Sequence, residues 1–167
     1  MTAEEEATGA EAETSAPRRL LVLDTSALSV LWDDRKAAHG VARQAFAHVV
    51  LSHTLVVPAL VLYENRRGLE HAGAATRLRR LDQLLRTFSA HTVSLDDRGA
   101  RLASTLWAQA RSNGLTHGEI DLLVLACAVN LALNLAPGSA VTLVSHDGGF
   151  PRHDAVSVVR WDDLLLG

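Results

Sequence analysis

The chain has 167 residues, 48% hydrophobic and 21% charged, which is enough apolar material for one domain-sized core and excludes global disorder. Five of the 19 acidic residues lie in residues 1–17, which hold no Lys or Arg, so the rest of the chain, carrying all 16 basic residues, is mildly basic. Nearly all of that positive charge is arginine, compatible with a polyanionic partner, and the single cysteine, Cys127, excludes an internal disulfide and a thiolate zinc site.

Residues 1–17, rich in Ala, Glu and Thr and closed by Pro17, are expected to form a disordered acidic tail, and residues 18–167 one domain. Leu20–Leu23 is a short apolar run of the kind a strand buried on both faces shows. Helical stretches follow at 27–32 and 37–51, then a second strand at 54–57. Pro58 suits the start of a helix, because its missing N–H is not needed in the first turn; this helix carries Tyr63, Glu64 and Arg67 and is expected to stop at Gly68.

In residues 74–88 the spacing of Leu78, Leu81, Leu85 and Phe88 predicts an amphipathic helix with its arginines mostly off the stripe. That stripe is either core packing or a groove for a partner, within an Arg-rich stretch spanning residues 66–86. A third strand is expected at 92–95. Asp96 or Asp97 caps a helix ending at Asn113-Gly114, and another helix runs from about Gly118 through residue 133. Val141–Val144 reads as a fourth strand, 155–160 as a fifth, and 162–166 as a last helical turn. Strands alternating with helices specify an α/β fold: three layers, α/β/α, round a central, mainly parallel five-stranded sheet. The start of the chain has neither the basic nor the apolar region of a signal peptide, and the apolar stretch 122–136 is too short to span a bilayer, so a soluble cytoplasmic protein without membrane association is expected.

Ligands of open parallel sheets bind beyond the carboxyl ends of the strands. Asp24 directly follows the first strand, Asp147 lies just past the fourth, and Glu64 falls on the helix leaving the second. Asp121 sits in the first turn of a helix that is apolar nearly all round. Taken singly, Asp24 can cap a helix, Glu64 can pair with Arg67, Asp121 can favour a helix dipole, and Asp147 can serve the turn at Gly148-Gly149. Four carboxylates aimed at one sheet edge instead imply a hard divalent cation with oxygen ligands, Mg²⁺ or Mn²⁺. His117, four residues before Asp121, is a capping or solvated histidine or a contact to nucleic acid or metal-bound water. Glycine-rich phosphate loops and HExxH spacing are lacking, Ser145-His146-Asp147 cannot form a catalytic relay between sequence neighbours, and Asp24-Thr25-Ser26 lacks the D-x-D of haloacid dehalogenase phosphatases.

The segments LLVLDTSAL, LYENRRGL, GEIDLLVLACA and LVSHDGGF, in that order, resemble the PIN domain and, within it, the VapC-type toxins of bacterial toxin–antitoxin pairs; the resemblance covers residues 19–167. It implies a metal-dependent endoribonuclease whose catalytic and metal-binding acids are Asp24, Glu64, Asp121 and Asp147, with Ser26 and Ser145 in support. Arg66 and Arg67 are either RNA contacts or a solvated helix end. The resemblance further implies a small antitoxin partner and a homodimer. Gly149 stands where many relatives have a further acid. The alternatives are a PIN nuclease in RNA processing without an antitoxin, and a catalytically silent PIN module that binds RNA or protein.

Overall fold

A computed structural model describes residues 18–87 and 91–166, so the expected acidic tail and Phe88 lie outside the described residues. Among the described residues five strands, β1 (Leu20–Leu23), β2 (Thr54–Pro58), β3 (His91–Val93), β4 (Val141–Val144) and β5 (Ser157–Val159), form one sheet in the order β3-β2-β1-β4-β5. Every pairing is parallel, with Leu21 opposite both Leu55 and Thr142. Leu21, Val22 and Leu23 are fully buried, as a central strand with helices on both faces requires.

Among the described residues, six helices cover the sheet: α1 (Thr25–Trp32), α2 (His39–Val49), α3 (Ala59–His71), α4 (Ala75–Thr87), α5 (Asp97–Ser112) and α6 (Glu119–Asn130). The chain steps from β1 to β2 to β3 in one direction and then crosses back to β4, so right-handed crossovers put α1–α4 on one face and α5–α6 on the other. This is the expected three-layer α/β/α architecture. A final turn, Asp162–Leu165, follows β5 and packs on α2. Trp161 at its start is fully buried, meets Phe46 edge to face, and donates its indole N–H to the Ala27 carbonyl at 3.0 Å.

Several boundaries differ from the sequence reading. Helix α1 starts at Thr25 rather than 27, because Asp24 caps it. The expected stop at Gly68 does not occur: α3 continues to His71, since burying Leu69 in the core outweighs the poor helix propensity of an exposed glycine. The chain turns instead at Gly73, whose φ of +58° favours glycine. The third strand ends at Val93, before Leu95, and β5 is confined to Ser157–Val159. Helix α6 is regular only to Asn130 and ends in a π-helical turn, Leu131–Leu135.

Leu81 is fully buried, and Leu78 and Leu85 pack against the same core, so the α4 stripe is core packing and not a groove. Asn130, buried in apolar α6, donates to Asp96 at 3.0 Å while Asp96 accepts from the Gly99 N–H at 2.7 Å. One carboxylate thereby caps α5 and satisfies a polar group of the neighbouring helix.

Candidate active site

The order of strands reverses between β1 and β4, which opens a crevice at their carboxyl ends. Asp24 stands there as the residue after β1. Its carboxylate is 4% exposed and accepts from the Ala27 N–H at 2.6 Å, the Ser145 hydroxyl at 2.6 Å and the Ser26 hydroxyl at 2.8 Å. Each serine also accepts a backbone N–H, Ser26 from His146 at 2.7 Å and Ser145 from Asp147 at 3.0 Å. Each hydroxyl proton is therefore committed to the carboxylate, and the ends of β1 and β4 are stitched together through Asp24. Burial pushes the Asp24 carboxyl above its ordinary range, although the hydrogen bonds from Ser145, Ala27 and Ser26 pull the other way.

The other three acids face the same region. Glu64 on α3 accepts a hydrogen bond from Thr25, the residue after Asp24. Asp147, exposed beyond β4, accepts the Gly149 N–H at 2.8 Å. Asp121, half-buried in the first turn of α6, is raised above the usual carboxylate range by burial and then by the charges of Asp147, Asp24 and Glu64. The four acids are thus brought within electrostatic reach of one another. Glycine at 118 leaves room for this arrangement: a Cβ there would lie 2.7 Å from an Asp121 carboxylate oxygen.

The donor set is wholly carboxylate, the chemistry that hard divalent cations take. Among the described residues no three His, Cys, Asp or Glu side chains converge closely enough to share one ion as they stand. The reason is visible in their partners: three of the acids are turned onto local donors, Asp24 onto two hydroxyls and an amide, Glu64 onto Thr25, and Asp147 onto Gly149. These contacts satisfy the carboxylates that would otherwise repel one another.

Of the residues expected to meet RNA, Arg66 forms an ion pair with Asp82 of α4, and Arg67 lies over the Tyr63 ring at 5.2 Å. His117 is half-buried just before α6, where its charge lowers the proton affinity of Asp121. Two contributors escaped the sequence reading, Thr25 as the Glu64 partner and the His146 backbone as the Ser26 partner. The hydroxyl-rich run Asp24-Thr25-Ser26 was the available signal for the first. For the second there was none, because a backbone amide has no sequence signature.

Ser145→Ala is expected to destabilise the fold by about 1–3 kcal/mol, because it takes a donor from the buried Asp24 carboxylate and the hydroxyl acceptor from the Asp147 N–H. A denaturant midpoint indistinguishable from that of the wild type would show that the stitch carries no stability.

The PIN domain family model matches residues 21–156, a span containing all four acids, and the chain belongs to the PIN domain family. No curated protein matches it in sequence. Several solved structures share its fold. VapBC2 from Rickettsia felis, bound to a DNA fragment from its promoter, aligns at 17% identity over 86% of this chain and 99% of that one, with a TM-score of 0.70. FitAcB from Neisseria gonorrhoeae aligns at 19% identity over 84% and 97%, with a TM-score of 0.62. VapC20 of Mycobacterium tuberculosis, a sarcin–ricin loop cleaving toxin, aligns at 17% identity over 78% and 92%, with a TM-score of 0.56. Among the described residues no helix is long and apolar enough to cross a membrane.

Proposed function

We propose that this PIN domain is a metal-dependent endoribonuclease and the toxin of a toxin–antitoxin pair. The observation that carries the reading is the gathering of Asp24, Glu64, Asp121 and Asp147 at one end of the sheet, close enough for three of them to raise the proton affinity of the fourth. Family membership supports nuclease chemistry, and the shared fold with VapBC and FitAcB structures supports a small antitoxin as partner.

Asp24 and Asp121 are the central candidates to hold Mg²⁺ or Mn²⁺, with Asp147 and Glu64 completing the set directly or through water. Such an ion supplies an activated water and neutralises charge developing on the phosphodiester oxygens. The chain's own part is to hold the acids charged and aimed. The Ser26 and Ser145 hydroxyls and the Ala27 amide fix the Asp24 carboxylate in a single orientation and favour its ionised form against burial. Thr25 sets Glu64 beside it, and the first turn of α6 presents Asp121 where the helix dipole favours a negative charge.

The experiment is incubation of total RNA with the protein in Mg²⁺ or Mn²⁺, with EDTA and Asp24→Ala as controls. Defined fragments from the wild type, absent in both controls, are the expected result. Equal cleavage by Asp24→Ala, or activity undiminished by EDTA, would overturn it. Expression of the wild type alone should also arrest growth, with relief from a co-expressed antitoxin; harmless expression of active enzyme would instead place the domain in RNA processing.

A further inference from the structure

Between α5, the start of α6 and the segment after β4 lies a cavity of about 370 Å³. Its inner wall is apolar, formed in part by the buried side chains Leu122, Leu125 and Phe150. Its polar lining comes from the exposed residues Gln109, Asn113 and Arg152 and from half-buried His117.

Two residues join this cavity to the acids. His117 lines it, four residues before Asp121. Arg152 lines it and also lines a smaller cavity, of about 160 Å³, that contains Ser145, His146 and Asp147. A nucleotide whose phosphate sits at the acids would therefore meet the Arg152 guanidinium on its way into the larger cavity.

We propose that the larger cavity takes an unpaired nucleobase of the RNA beside the scissile phosphate, with its face on the apolar wall and its edge read by the Gln109 and Asn113 amides. The inference rests on the nuclease reading above and says where that activity would draw its sequence preference. An unpaired base has an apolar face and a rim of donors and acceptors, and it is the element through which proteins read single-stranded RNA. Side-chain amides match such a rim because each offers both a donor and an acceptor. An apolar peptide side chain would use the wall but leave the two amides and the guanidinium without partners. The volume lies within the usual range of small-ligand sites.

The test has two arms. In the first, the side-chain amide resonances of Gln109 and Asn113 are followed by NMR in the metal-free full chain while AMP, GMP, CMP, UMP or ribose 5-phosphate is added. At least one nucleotide should shift both amides, and ribose 5-phosphate should not. Nucleotide shifts no larger than those from ribose 5-phosphate would overturn the proposal. In the second, cut ends are sequenced for the wild type and for the Gln109→Ala/Asn113→Ala variant, whose changes lie outside the acidic site. Total cleavage should persist while the preference at the nucleotide beside the cut falls about tenfold, the loss of one good base-edge contact. An unchanged preference would overturn the proposal. Absence of cleavage by the wild type would overturn the nuclease reading alone, and the amide titration then decides whether the cavity holds a base.

Discussion

Asp24→Asn is expected to lower RNA cleavage by at least about a thousandfold while leaving the protein folded. An ion held against a phosphodiester contributes several kcal/mol of charge stabilisation, and each 1.36 kcal/mol is about tenfold in rate. The substitution keeps the shape of the side chain and the oxygen that caps α1 through the Ala27 N–H. It removes the negative charge, and it turns one acceptor into a donor facing the hydroxyls of Ser26 and Ser145. That mismatch costs about 1–3 kcal/mol, offset in part because a charge is no longer buried. Rates measured with the preferred RNA, alongside circular dichroism of both proteins, check the result. Cleavage within a factor of ten of the wild type would mean that Asp24 is a cap and nothing more.

Asp121→Asn should have the opposite effect on the metal-free fold and raise its melting temperature. In the folded state the Asp121 carboxyl binds its proton more tightly than in the unfolded chain, because it is partly buried and faces three other acids. The folded state therefore holds more protons in the interval above 3.8, and stability falls as pH rises through that interval and then levels off. At neutral pH the charged group is a net cost, which the amide removes. None of the side-chain hydrogen bonds among the described residues involves Asp121, so the amide forfeits only the helix-dipole term. After discounting for solvent screening at a half-buried site, the gain is about 1 kcal/mol, or ~3 °C for a chain of this size. The same comparison at pH 4 should bring the two proteins together. Mn²⁺ should reverse their order, because an ion that binds only the folded wild type stabilises it by about 2.7 kcal/mol at a hundredfold excess over Kd. An Asp121→Asn protein that melts below the wild type in EDTA would identify the aspartate as a structural helix-start residue.

The strands that carry the site were readable because burial on both faces writes itself as largely apolar runs, unbroken in Leu20–Leu23 and interrupted only by Thr142 in Val141–Val144. The edge strand β3 was placed a residue late, since an edge has less to bury: His91 and Thr92 are exposed and only Val93 is partly covered. Gly68 misled because propensity is local, whereas the burial of Leu69 that overrides it depends on the whole core. In the site, no acid stood out singly; their common placement at one edge of the sheet, together with the family resemblance, singled out the four. Their support could not be singled out in this way. The bond from Ser145 to Asp24 spans 121 residues and that from Thr25 to Glu64 spans 39, and spacing along a chain carries no information about such closures. Arg66 illustrates the same gap: what reads as a free cation beside Glu64 is paired with Asp82, sixteen positions on.

The strand order also sets a schedule for biosynthesis. β1 is among the first parts of the domain to leave the ribosome, yet one of its two neighbours, β4, is among the last. Asp24 meets Ser145 only when β4 has emerged, and Trp161 closes on the Ala27 carbonyl later still. Parallel pairings at such separations form late, after the intervening chain has been ordered. A nascent chain therefore holds Asp24 apart from Asp121 and Asp147 until the later half of the domain has been made, and this end of the sheet is complete only once β4 has emerged.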